Sequence, residues 1–157
     1  MAQAELQLRL YDLRREAKLR RAREWFLANF VAATMDDVQR IAPSGSRQNA
    51  WMRMSCSYWE QACQMLECGL LHEDLFFQTS AEPWLFWERL KPAIGPMRAS
   101  RRNPHAYENL EAAALRFERW AKRRSPGFVE ALRASLQQQP VGSSTGAKAK
   151  AKGAAGE

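Results

Sequence analysis

The residues best suited to chemistry are few. Three cysteines, Cys56, Cys63 and Cys68, and two histidines, His72 and His105, are the only thiols and imidazoles in the chain. The cysteine number is odd and none forms a Cys-x-x-Cys pair, which argues against a disulfide framework or a zinc clip. Cys56 and Cys63 are seven apart and share one face of a helix. In a reducing compartment they read as small buried hydrophobes. Carboxylates are paired at Asp36-Asp37 and Glu73-Asp74. Both pairs fall at expected helix starts, where acids complement the helix dipole without doing acid–base work. No Gly-x-Ser-x-Gly elbow, phosphate-cradling Gly-x-x-x-x-Gly-Lys loop or dinucleotide fingerprint occurs. The expectation is no catalytic residues, no metal and no cofactor.

The elements that carry these residues are helical. Ala, Leu, Arg, Glu and Gln dominate, β-branched residues are scarce, and no stretch alternates with period two, so the fold class is all-α. The chain has 157 residues, 46% of them hydrophobic, enough for one domain that folds without staples. Proline and glycine cut it at 43–46, 69, 83, 103–104 and 125–127. The breaks predict a compact bundle of about five to six helices: about 3–33, a short one to Ile41, 46–69, a turn or short helix at 72–78, 83–102, 104–124 and 126–138. Thr34 reads as an N-cap, Gly69 as a C′ residue, and Pro92 and Pro96 as residues that kink or shorten their helix.

At about 100° per residue, helix 46–69 carries an apolar arc of roughly 200°, including Met52, Cys56, Trp59, Cys63 and Leu66. It is the expected central helix, touched on more than one side. Glu60 falls on the narrow polar remainder and reads as energetically silent. Helices 83–102 and 104–124 carry narrower stripes and read as outer helices. The first helix has two stripes on nearly opposite faces. Leu6, Leu10, Leu13 and Ala17 make one; Leu19, Ala22, Phe26 and Phe30 make the other. Either the helix bends near Lys18 and both halves join one core, or Leu6, Leu10 and Leu13 serve a second protein or a second copy. Trp84 and Leu85 lie off their helix's stripe. With Phe76 and Phe77 they form a second candidate contact patch, to be weighed against ordinary scattered exposure.

Charge and sorting signals narrow the partners. The net charge is +7, and the mean hydropathy is −0.53. Arg14, Arg15, Lys18 and Arg21, with Lys148, Lys150 and Lys152 of the tail, are the candidate polyanion contacts. The first helix spreads its cations around the axis, whereas a DNA-reading helix gathers them on one side. Weak, salt-sensitive binding to nucleic acid is therefore the secondary expectation. No run approaches about 18 apolar residues, and the first residues lack a secretory pattern, so a cytoplasmic location is expected.

The order of Tyr58-Trp59-Glu60, Glu67-Cys68-Gly69-Leu70-Leu71-His72-Glu73-Asp74-Leu75, Phe86-Trp87-Glu88-Arg89-Leu90-Lys91-Pro92 and Tyr107-Glu108-Asn109-Leu110 resembles a bacterial family known as domain of unknown function 4760. The resemblance covers about residues 51–120. It implies a compact helical domain and assigns no activity and no functional residue. Many members of that family begin with a membrane-spanning segment; the first helix here is charged throughout, so that feature does not carry over. Together these readings describe a helical interaction or regulatory module at residues 1–138, with a nucleic-acid-associated protein as the alternative.

Residues 139–157 hold Pro, Gly, Ser, Ala and Lys and no large apolar residue beyond Val141, a composition that cannot bury a core and reads as disordered. Deleting 139–157 should leave the thermal melting temperature nearly unchanged. A fall of many degrees in calorimetry would show that the tail docks.

Overall fold

The structure is a computed structural model that describes residues 2–138; the expected disorder of 139–157 lies outside the described residues. It is all-helical, with eight helices among the described residues: α1 (Ala2–Arg14), α2 (Ala17–Asn29), α3 (Met35–Ile41), α4 (Arg47–Glu67), α5 (Glu73–Thr79), α6 (Glu82–Arg101), α7 (Glu108–Arg124) and α8 (Phe128–Gln138). The count exceeds the expected five to six because the first predicted helix is two helices and the turn at 72–78 is a helix of its own.

Local chemistry explains most boundaries. Thr34 and Asp37 form a reciprocal capping box at the start of α3. Asp37 is held well below the usual carboxylate range, chiefly by the Arg40 guanidinium and then by the backbone N–H of Ala33. Ser46 caps α4. Gly69, at φ 72°, ends α4: its N–H reaches the Leu66 carbonyl and that of Leu70 reaches Met65, the paired bonds of a Schellman turn. The α1–α2 break falls at Arg15-Glu16, close to the bend expected at Lys18. Glu16 accepts from the Leu19 N–H and so starts α2 anew.

Helix α4 is central, packed against α2, α6 and α7. Met52, Cys56, Trp59, Ala62, Cys63 and Leu66 are buried as its apolar arc requires. Helix α6 is not the outer helix expected. It meets α2, α3, α4 and α7, and near its start it buries Pro83, Trp84, Phe86 and Trp87, spanning about half its circumference. It also runs through Pro92 and Pro96 without ending. Both prolines are exposed, while Phe86, Leu90, Ala93 and Met97 hold one buried stripe across them. Tertiary packing offsets the backbone bonds the prolines remove.

The largest surprise is Glu60. Helix α7 starts at Glu108 rather than at Pro104, and its N-cap position is Tyr107, at φ 59° and without a side-chain cap. The missing cap comes from α4. The Glu60 carboxylate accepts from Leu110 N–H at 2.8 Å, Asn109 N–H at 3.2 Å and Asn109 Nδ2 at 2.8 Å. An anion aimed at the open N–H groups of a helix start is favoured by both hydrogen bonding and the dipole.

Trp59→Ala should cost about 3–5 kcal/mol, the usual range for emptying a buried aromatic site. Glu60→Ala, expected from sequence to be silent, should instead cost about 1.5–3 kcal/mol, because it strands N–H groups that a charged acceptor satisfied. Urea unfolding of both variants checks this. A Glu60→Ala cost within about 0.5 kcal/mol, the level of an ordinary surface change, would show that the remote cap carries no stability.

Candidate functional site

The residues singled out by sequence are not brought together as one site. Phe76, Phe77 and Trp84 are not a surface patch; all three are buried. Phe77 meets Phe117 edge-on at 5.5 Å, and the Trp84 indole N–H donates to Glu118 Oε1 at 2.9 Å while Arg133 lies over its ring at 5.3 Å. Trp84 fell off the predicted stripe because that stripe assumed one covered face, whereas α7 and α8 cover a second. Leu85 is partly buried against the same core.

Cys56 and Cys63 are buried, and burial pushes both thiols well above the ordinary range. Cys68 differs from the expectation and is exposed, since α4 ends there. His105 Nδ1 lies 2.7 Å from Glu108 Oε2 on the surface. Among the described residues no three His, Cys, Asp or Glu side chains converge as metal ligands would.

Helix α1 joins the rest of the fold by its inner side. Leu10 is buried and Leu6 is half-buried against the core, so neither is free for a second molecule; Leu13 remains exposed. Polar bonds do much of the docking. Gln3 Nε2 donates to the Gly69 carbonyl at 3.1 Å, Gln7 Nε2 to Thr79 Oγ1 at 3.0 Å, and the Tyr58 hydroxyl to the Leu10 carbonyl at 2.6 Å. At the joint, Arg23 donates through Nε (2.5 Å) and Nη2 (2.7 Å) to the mostly buried Glu82 carboxylate, and through Nη1 to the Arg14 carbonyl at 2.7 Å. Trp59 Nε1 lies 3.3 Å from the same carboxylate.

This joint removes Arg14 from the polyanion candidates. Its guanidinium lies 3.9 Å from Glu82 and 6.0 Å from the Trp59 ring centroid. Arg15, Lys18 and Arg21 are exposed, Arg15 resting over the Tyr11 ring at 5.7 Å. Lys148, Lys150 and Lys152 lie outside the described residues.

What α1 leaves open is a mixed outer surface, on which exposed apolar side chains stand among Glu5, Arg9 and Asp12. Leu8, Tyr11 and Leu13 are 65%, 50% and 58% exposed. A cleft of 260 Å³ runs along one edge of α1, between Leu8 and Tyr11 on one side and Trp59 and Phe76 on the other. A cleft of 290 Å³ on the opposite edge is lined by Leu13, Leu19 and Met54. Sequence reasoning picked Leu13 from its heptad-like spacing. It missed Leu8 and Tyr11, whose i, i+3 spacing was the available signal.

The Tyr58 bond gives α1 docking a pH dependence. Burial pushes the phenol from 10 up to about 12, the nearby Arg14 charge partly opposing it. The neutral form is therefore favoured in the folded state. Its contribution is complete below pH 10, where Tyr58 of the unfolded chain ionises, and is lost as the pH rises toward 12. Tyr58→Phe should cost about 1 kcal/mol at neutral pH and lose its deficit relative to wild type across that alkaline window. Phenolate absorbance with parallel urea melts checks both; a phenolate step near pH 10 that vanishes in Tyr58→Phe would mean the hydroxyl is not held.

No helix among the described residues is long and apolar enough to cross a membrane. No curated protein and no solved structure matches the chain. The model of the domain of unknown function DUF4760 matches residues 1–120, which takes in α1 through nearly all of α7 and leaves α8 and the tail beyond it. The stretch read from Trp51 onward is thus part of a longer match that begins with α1, and the chain belongs to the DUF4760 family.

Proposed function

We propose that this chain is a non-catalytic, cytoplasmic interaction module whose working surface is the outer side of α1. The observation that carries the reading is the exposure of Leu8, Tyr11 and Leu13 on a helix whose other side is already bonded to the core. Apolar side chains flanked by clefts on a fixed helix are what a partner's anchor residues bury. The rim is mixed in charge, with Arg9, Arg15 and Lys18 exposed nearby and Glu5, Asp12 and Glu16 exposed among them. The partner that fits is a protein segment with apolar anchors and flanks that carry both signs of charge. A second copy fits less well, because Leu6 and Leu10, which a two-helix seam would need, are already turned to the core.

Nucleic acid is the second reading, supported by the exposed cations Arg15, Lys18 and Arg21. It predicts loss of binding with salt and indifference to apolar changes. The double change Leu8→Lys with Leu13→Lys discriminates. Both positions are exposed, so circular dichroism and melting should stay close to wild type. Cross-linked capture from native cells should recover a defined protein with the wild-type chain and lose it with the variant. Light scattering should find the wild type monomeric. Identical captures by both chains, or retention of a generic duplex at physiological salt by both, would overturn the reading.

A further inference from the structure

On another face, α6, α8 and the α2–α3 connection enclose a cleft of 490 Å³, the size of a small-molecule site. Val31, Pro92 and Leu136 supply its apolar wall. Its charged residues are in unequal states. Arg133 donates from Nε to Glu88 Oε2 at 3.0 Å and from Nη2 to Glu118 Oε1 at 2.9 Å. Asp37 is engaged by Arg40 and by the start of α3. Arg89 has no carboxylate partner among the described residues; its one hydrogen bond is a 3.5 Å contact from Nη2 to the Leu136 carbonyl, and its Nε is buried without an acceptor. Burial pulls its pKa below the ordinary arginine value, so holding this cation here costs stability. An unpaired guanidinium at an apolar cleft is explained by an anion that comes from outside.

We propose that this cleft binds a small organic carboxylate with an apolar body, held by Arg89. The Nε is closed off in the wall, so the two terminal nitrogens form the fork that meets the carboxylate, while the body lies on Val31, Pro92 and Leu136. Glu88 Oε1 is buried in the same wall without a hydrogen bond, with Lys91 Nζ 3.6 Å away, while its Oε2 accepts from Arg133. It would repel a doubly charged head more than a singly charged one, which favours carboxylate over phosphate. Helix α8, which brings Arg133 and Leu136 to the cleft, lies beyond the residues the family model matches.

The test uses the full chain, with backbone amide spectra recorded against benzoate, phenylacetate and hexanoate, and against benzamide and phenyl phosphate as counterparts. Saturable shifts confined to α6, α8 and the α2–α3 connection are expected for at least one carboxylate, with a Kd of about 1 mM or tighter, and benzamide at least about tenfold weaker than benzoate. Arg89→Met should keep the wild-type fold, since it removes an unpaired cation, and should lose carboxylate binding about tenfold or more. Arg89→Lys keeps the charge without the fork and should lose several-fold; it serves as the variant if Arg89→Met does not fold. Absence of saturable shifts with all three carboxylates up to about 20 mM, equal binding of benzamide, tighter binding of phenyl phosphate, or unchanged binding after loss of the Arg89 fork would each overturn the proposal.

Discussion

The architecture turns on one carboxylate. Helices α4 and α7 share an extensive interface, but apolar packing is non-directional and leaves their register less sharply set than a hydrogen bond does. Glu60 sharpens that register by accepting from the first N–H groups of α7. The consequence reaches back to Tyr107. A tyrosine in the left-handed region costs about 1–2 kcal/mol, and it persists because the turn at 103–107 is held from both sides. Arg98 donates to the Ala106 carbonyl at 3.0 Å and pairs with Glu111 at 2.8 Å, while Glu60 holds the following turn. Helix α7 therefore begins where α4 and α6 permit, four residues after the proline that local chemistry would choose.

A second ion pair sets the α1–α2 geometry. An uninterrupted helix through Arg15 would leave no free carbonyl at Arg14 for Arg23 to reach. The break supplies that carbonyl, and the Arg23 fork closes on Glu82 at the start of α6. The pair is mostly buried, so its attraction is set largely against the cost of desolvation; its contribution is specificity of arrangement as much as stability. Because α1 is attached through side-chain bonds to carbonyls and hydroxyls, its outer face carries no packing duty.

These features mark what sequence makes legible. The 3.6-residue period located α4 and identified Trp59, Cys56 and Cys63 as core, because a helix packed on several sides needs a wide arc and nothing else. Thr34 and Gly69 were readable because their partners lie within a few residues. Glu60 was not, since its partners are some 50 positions away and its own neighbours are polar. Trp84 and the Phe76-Phe77 pair failed differently: a stripe shows that one face is covered, but only the assembled bundle shows that α7 and α8 cover another. Arg89 looked like one cation among many; its lack of an acceptor is visible only once its surroundings are folded.

The same reasoning gives the basic surplus its place on the surface. Glu16 starts α2, Asp37 starts α3, Glu60 caps α7, and Glu82, Glu88, Glu118, Glu67 and Glu73 each accept from an arginine or tryptophan between helices. The acids are drawn inward or onto helix starts by these bonds. The cations outnumber them 24 to 17, and those without such partners are left on the surface. The net charge of +7 is set by composition alone, and the committed carboxylates decide only where that surplus shows. Exposed Arg15, Lys18 and Arg21 follow from that distribution without a nucleic-acid groove to explain them. Arg89 does not, because it lines an apolar cleft and bonds to no acid among the described residues.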